Sequence, residues 1–344
     1  MSDDTPTPTT SPDGAGAGTD TDTDTDTSEP THSTSPPSDS PSKTQSAIQS
    51  LSSILPSTPP PSLSSAFSLL HDPEVAAQIS SLLRHPNSGA GENNLCRWLY
   101  DTFQSGDPDL QLVVLRFLPI IAGIYLSRVT IRKPLAGFEA VLLALYAHET
   151  TSRSGQPITV SVPDLSHPSV YHESNEPIKN NATELNLAVL SPTLEPHGTV
   201  RSTKRARIVG VALELYYSKI SQMPVGSKID FCEFCVVWSG HVYEENDGEE
   251  RERMGKEGRI PLPWELLTPV LRILGHCIMG AREKKEVFEA AWAACRSLHA
   301  RSMHDINSRA ILATGSLLRL GKMDMEPTQN FDPTKIPNSD VLSI

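Results

Sequence analysis

The sequence predicts a mostly α-helical protein: an irregular multi-helix bundle or solenoid-like helical domain, with a short extended or β segment near residues 158–172, preceded by a disordered N-terminal tail. Three observations carry this. Apolar residues recur at helical spacing through most of residues 63–321, and Pro and Gly turn the chain between the runs. Period-two alternation is confined to the neighbourhood of Ile158, Val160 and Val162. No fixed-period repeat is visible, so a regular array is not supported.

The chain has 344 residues, a net charge of −12, 38% hydrophobic and 20% charged residues. The averages conceal a division. Residues 1–62 are rich in Ser, Thr, Pro and Asp, and their acidic residues (Asp3, Asp4, Asp13, Asp20, Asp22, Asp24, Asp26, Glu29 and Asp39) face the single base Lys43. Too little apolar area is present there to offset the entropy of ordering, so a disordered tail is expected. Ser-Pro and Thr-Pro pairs at Thr5, Thr7, Ser11, Ser35, Ser40 and Thr58 suit phosphorylation in such a segment, though the composition alone also explains them. A short helix can begin near Ser46, where Ile48, Leu51, Ile54 and Leu55 recur, and Pro56 stops it. The remainder is only mildly acidic, which argues against strong binding of nucleic acid.

From Ser64 to Leu83, two short helical stretches are interrupted at Asp72-Pro73. Asn94 can cap a helix whose one face is Leu95, Trp98, Leu99 and Phe103, and Gly106-Asp107-Pro108 turns the chain into the next. Leu110–Val129 is the most hydrophobic stretch. Arg116 interrupts it at a cost on the order of 3 kcal/mol in a bilayer, and Pro119 breaks or kinks it, so a buried helix is expected rather than a membrane span. Ala136–Glu149 carries Phe138, Val141, Leu142, Leu145 and Tyr146 on one stripe. After the extended segment, residues 173–200 read as a surface connection. Helices follow near Thr203–Ile220, Lys228–Val242, Trp264–Met279, Glu283–Leu298 and Asp305–Leu320, with a charged loop at 244–260 and a flexible end at 322–344.

The five cysteines are scattered, and the N-terminus Met1-Ser2-Asp3-Asp4 has neither the apolar run nor the Arg-rich character of a targeting segment. A reducing, cytosolic setting is expected. Cys232-x-x-Cys235 has the spacing of a zinc knuckle or redox pair, but the second pair of ligands is missing and the neighbours are core-type, so two buried thiols are expected and no metal or cofactor. His167, Tyr171, His172 and Glu173 are close enough for acid–base work yet have no partnered nucleophile. No P-loop, nucleophile elbow or dinucleotide fingerprint exists in the chain. An enzyme of unrecognised type using His167, His172 and Glu173 stays open as an alternative.

Three blocks, in order, resemble the hyccin family: Leu115-Arg116-Phe117-Leu118-Pro119 with Tyr125-Leu126, Phe138 to Tyr146 with Glu149, and Ser161-Val162-Pro163-Asp164-Leu165-Ser166-His167-Pro168-Ser169-Val170-Tyr171-His172-Glu173. The resemblance covers roughly Leu63–Leu320 and is similar to plant-like members. It implies a non-catalytic, regulatory or scaffolding subunit of the plasma-membrane phosphatidylinositol 4-kinase type III alpha complex. Such a subunit binds and stabilises a tetratricopeptide-repeat scaffold subunit, meets a membrane-anchoring subunit indirectly, and supports phosphatidylinositol 4-phosphate synthesis. The implied location is the cytosol, with recruitment to the plasma membrane through the complex. On that reading, Leu95, Trp98, Leu99 and Phe103 are a candidate partner-binding face. Arg201, Lys204, Arg205 and Arg207 are a candidate membrane-facing basic patch, which leaves a direct anionic-lipid-binding module as a further alternative.

Overall fold

The computed structural model describes residues 40–57, 63–129, 133–163, 185–240, 263–280 and 284–325, and every structural statement below concerns these. Twelve α-helices and one two-stranded antiparallel sheet are present among them. The expected fold class is therefore observed. The acidic tail up to residue 39, the segment holding His167, Tyr171, His172 and Glu173, and the charged loop at 244–260 lie outside the described residues.

The packed body begins earlier than the sequence reading places it. Helix α1 (Ser40–Ser52) lies inside the stretch assigned to the tail, and Ala47, Leu51 and Leu55 are buried. It survives because its apolar face packs on α4, where the Trp98 indole N–H donates to the Ala47 carbonyl at 2.9 Å. Asp72-Pro73 is a junction rather than an interruption. Helix α2 (Ala66–His71) ends there, and the Asp72 carboxylate caps α3 (Pro73–Arg84) by accepting from Val75 N at 2.9 Å. The cap of α4 (Asn94–Gln104) is Asn93, whose side chain accepts from Cys96 N, so Asn94 is instead the first helical residue.

The hydrophobic stretch divides into α5 (Pro108–Arg116) and α6 (Leu118–Val129), bent by 46°. The break is at Phe117, not Pro119. Proline has no N–H for the Leu115 carbonyl, and it is least costly in the first turn of a helix, where Pro119 now sits. Both helices are largely buried. No single helix among the described residues is long and apolar enough to cross a membrane.

Helix α7 (Ala136–Ser152) packs on α4 and on α8 (Arg205–Ser218). Between them in sequence stand β1 (Ile158–Pro163) and β2 (Leu185–Ser191), so the stretch expected as surface connection contains a strand. Helix α9 (Val225–Ser239) contacts α6 and α11 (Lys285–His304), while α10 (Trp264–Gly280) contacts α8, α11 and α12 (Ser308–Met325). The last helix passes through Gly321 to Met325, beyond the Leu320 expected from the sequence. A Cβ at Gly321 would lie 2.3 Å from the Trp292 ring, so the glycine serves close helix packing.

One contiguous core joins α1 through α12, with Tyr125, Phe138, Tyr146, Tyr216, Phe231 and Trp238 among its largest buried side chains. Gly137 sits at a tight point in it. Its N–H donates to the Gly89 carbonyl at 2.9 Å, and a Cβ would meet the Ala90 carbonyl oxygen at 2.4 Å and Cys96 Cβ at 2.9 Å. Gly137→Ala is expected to cost about 2 kcal/mol through overpacking against immobile backbone. Urea unfolding of the variant and the parent chain measures it, and equal stabilities would contradict the packing described.

Candidate functional site

The apolar face proposed on α4 points inward. Leu95, Trp98, Leu99 and Phe103 are all at most 4% exposed. Phe103 meets His148 of α7 edge-on at 5.3 Å, and Trp98 is held by α1. In this structure their partners are the protein's own helices, because core and interface positions share the same spacing of three and four. Beside them, α1 and α4 leave a groove of about 800 Å³ with Trp98, Ala47, Ile54 and Leu110 within it and Lys43, Arg97, Asp101 and several serines around it. Its charges are mixed in sign, and it contains neither His nor Cys.

The basic residues near the start of α8 are drawn into the fold. Lys204 forms a short ion pair with Glu195, whose carboxyl this hydrogen bond holds below its ordinary range. Arg205 Nε donates to the Tyr125 hydroxyl at 3.1 Å and lies 3.9 Å from Glu139, while that hydroxyl donates to Glu139 at 3.0 Å. Arg207 donates to the Thr193 carbonyl at 2.6 Å. Arg201 is exposed, whereas Lys204, Arg205 and Arg207 are half-buried. The arrangement anchors the chain leaving β2 against α6, α7 and α8, and most of the patch's charge is spent there.

A second polar cluster escaped the sequence reading. Arg153, just past α7, lies 4.0 Å from Glu149 and 3.7 Å from Glu214 of α8. Its guanidinium nitrogens and Glu214 Oε2 are buried without hydrogen-bond partners among the described residues. Burial raises the Glu214 carboxyl above its ordinary range, opposed by the Ser191 hydroxyl and by the Arg153 and Arg272 cations. The available signal was a lone Glu in the apolar run Val211-Ala212-Leu213-Glu214-Leu215.

Cys232 and Cys235 are buried in α9, near Cys277 of α10 and Cys295 of α11. Burial pushes the Cys295 thiol up to about 12 and raises Cys235, while a hydrogen bond with Cys277, followed by burial, raises Cys232, so these three are protonated, unreactive core side chains. Among the described residues no group of His, Cys, Asp and Glu has the geometry to hold a metal ion.

The surface tells a different story. Leu185, Leu187 and Val189 of β2 are 63%, 74% and 61% exposed, and Leu312 on α12 is equally open. Contiguous aliphatic side chains in solvent are the kind of surface found where proteins meet partners. The family is settled by sequence: the chain belongs to the Hyccin family, whose model matches residues 62–337. Hyccin proteins are components of phosphatidylinositol 4-kinase type III alpha complexes and are generally non-catalytic. The match extends past the end of α12, into the part expected to be a flexible end.

Two measurements probe the polar clusters. Arg205→Ala is expected to lower stability by about 1 kcal/mol, less in high salt, because it removes a partly exposed ion pair and a hydrogen bond. Glu214 binds its proton at higher pH in the folded chain than in the unfolded one, so lowering the pH from neutral towards the ordinary carboxylate value of 4.5 favours folding at this residue. Glu214→Gln is expected to remove that rise from a plot of urea midpoint against pH, and an unchanged profile would contradict the buried carboxyl.

Proposed function

We propose that this chain is a non-catalytic subunit of the plasma-membrane phosphatidylinositol 4-kinase type III alpha complex. It binds and stabilises a tetratricopeptide-repeat scaffold subunit, contacts the membrane-anchoring subunit indirectly, and so supports synthesis of phosphatidylinositol 4-phosphate. The observation that carries this reading is the Hyccin match over residues 62–337. Exposed aliphatic side chains on a body with an already filled core are consistent with a permanent partner. Peripheral association through the complex, rather than by direct lipid contact, accords with Lys204, Arg205 and Arg207 being tied to Glu195, Tyr125 and Thr193.

Affinity capture of the tagged full chain from native cells, with mass spectrometry of what it retains, tests the proposal. A second bait lacking residues 1–39 keeps α1 on the body and isolates the role of the acidic tail. The expected result is recovery of a lipid kinase and a tetratricopeptide-repeat protein by both baits. Their absence from both, with folded bait in hand, would overturn the assignment.

A further inference from the structure

Helix α1 has little to hold it together by itself. Its thirteen residues are near the length at which an isolated helix is marginal in water, and five of them are serine. The hydroxyls of Ser50, Ser52 and Ser53 turn back onto carbonyls one turn earlier at 2.7–3.0 Å, the competition that makes serine a poor residue in a helix interior. The first turn has no acidic residue and the last no basic one, so no charge offsets the helix dipole. The helix persists through what it packs against.

That packing is slight. Within residues 43–52 the buried side chains are Thr44, Ala47 and Leu51, whereas six of the eleven residues of α4 are buried. Beside Trp98, α1 presents the small residues Ser46, Ala47 and Ser50, and the groove of about 800 Å³ lies between the two helices. By contrast, α4 meets α7 so closely that a Cβ on Gly137 would lie 2.9 Å from Cys96 Cβ. Residues 59–61 are three successive prolines, which cannot carry the hydrogen bonding of α1 onward into α2. The Hyccin match begins at residue 62, beyond them, so α1 is an addition in front of the matched unit. Few buried apolar contacts are the mark of elements that open locally.

Beneath α1 lies a surface suited to a helix. The small residue at 47 lets the Trp98 indole reach the helix backbone, where its N–H donates to the Ala47 carbonyl at 2.9 Å. Ala47 clusters with Ala66 of α2 and Leu110 of α5, while Leu51, one turn on, enters the main core. Lys43, Arg97 and Asp101 make a polar rim. A small residue followed four positions later by an aliphatic one, on the same helix face, is therefore the pattern this site accepts.

We infer that α1 is a detachable strap. It opens from α4 while the body stays folded, and in opening it bares Trp98 and the adjoining groove as a docking face for an amphipathic helix of a partner with α1's own pattern. The occupant's chemistry is read from α1, which already sits there, and the two helices exclude each other. The inference goes beyond the reading of this chain as a complex subunit and does not depend on it. A strap on a short tether has an effective concentration in the millimolar range, so one that is seated has an intrinsic dissociation constant below about 1 mM.

The test uses the full chain with two variants. Leu51→Asp removes the buried anchor, and Ser50→Pro breaks the helix while leaving the anchors in sequence, so one serves where the other fails to fold. Failure of both to fold would make α1 part of the body and overturn the inference. In the parent chain, amide hydrogens of residues 44–55 are expected to be protected at least about a hundredfold less than those of residues 95–103. Equal protection of the two stretches overturns the inference, because α1 would then open only with the body.

A labelled peptide of residues 40–57 probes the bared face. It is expected to bind the variants with a dissociation constant below about 1 mM and the parent at least about tenfold more weakly, because the strap competes. Ala47→Arg in the peptide is expected to abolish binding, and acrylamide quenching of tryptophan is expected to rise in the variants unless Trp98 is replaced by Phe. No binding to the variants, or equal binding to parent and variants, overturns the strap. A concentration-dependent dimer of the parent in light scattering, absent in Ser50→Pro, would mean that α1 is exchanged between two copies and overturns it as well.

Discussion

The fold turns on how Arg116 is buried. Its guanidinium donates to the carbonyl of Leu70 at the end of α2 and reaches the Asp72 carbonyl at 3.4 Å, with the ring of Phe117 at 5.7 Å. Burial lowers its pKa, and Asp230 and Asp72 oppose that effect. A buried cation is tolerable only when hydrogen-bonded and electrostatically compensated, and both conditions are met by parts of the chain 40 or more residues away. Its backbone is used as well. With the helix broken at Phe117, the Arg116 carbonyl accepts the Ser227 hydroxyl at 2.6 Å, and Ser227 in turn meets the Tyr216 hydroxyl at 3.0 Å. One residue thus joins α2, the α5–α6 bend, α8 and α9.

That constraint explains which features were legible beforehand. Local chemistry read well: Asp72-Pro73 and Asp107-Pro108 mark helix starts because a side-chain acceptor and a missing N–H satisfy the same terminus. The apolar periods of α4, α7 and α10 likewise identified helices. What sequence could not supply was the destination of a polar group. Arg116 read as an obstacle to membrane insertion, which was sound, but nothing local indicates that α2's last carbonyls await it. Pro119 announced a break without giving its position, which falls two residues earlier at Phe117. The packing role of Gly321 was not legible, because it depends on Trp292, far away in sequence.

The same limit governs the candidate sites. Leu95, Trp98, Leu99 and Phe103 form a clean stripe, but a stripe does not say whether the covering element is in the same chain. Here α1 and α7 provide it. Arg201, Lys204, Arg205 and Arg207 are dense in sequence, yet three of them meet acceptors on other elements. In β2 the reasoning inverts. Alternation usually separates a buried face from a polar one, whereas Leu185, Leu187 and Val189 alternate with Asn186, Ala188 and Leu190, so both faces are predominantly apolar. The strand was easy to overlook within a polar neighbourhood.

The two buried arginine clusters also differ in a way that bears on mechanism. Arg116 is satisfied by carbonyls and belongs to the rigid centre. Arg153 faces Glu149 and Glu214 at 4.0 and 3.7 Å, distances of charge compensation rather than hydrogen bonding, and it sits where α7 gives way to the hairpin. The hairpin's return is fastened nearby: Leu194 N donates to the Gly155 carbonyl at 2.8 Å, and the Tyr146 hydroxyl donates to the Glu195 carbonyl at 3.0 Å. Lys204 and Arg207 hold the same stretch from α8. The hairpin is therefore not an appendage on a free hinge. Its base is gripped by α7 and α8, the helices that carry Tyr146 and Tyr216 into the core. Charge-assisted hydrogen bonds thus tie the base of the sheet to the core with few residues.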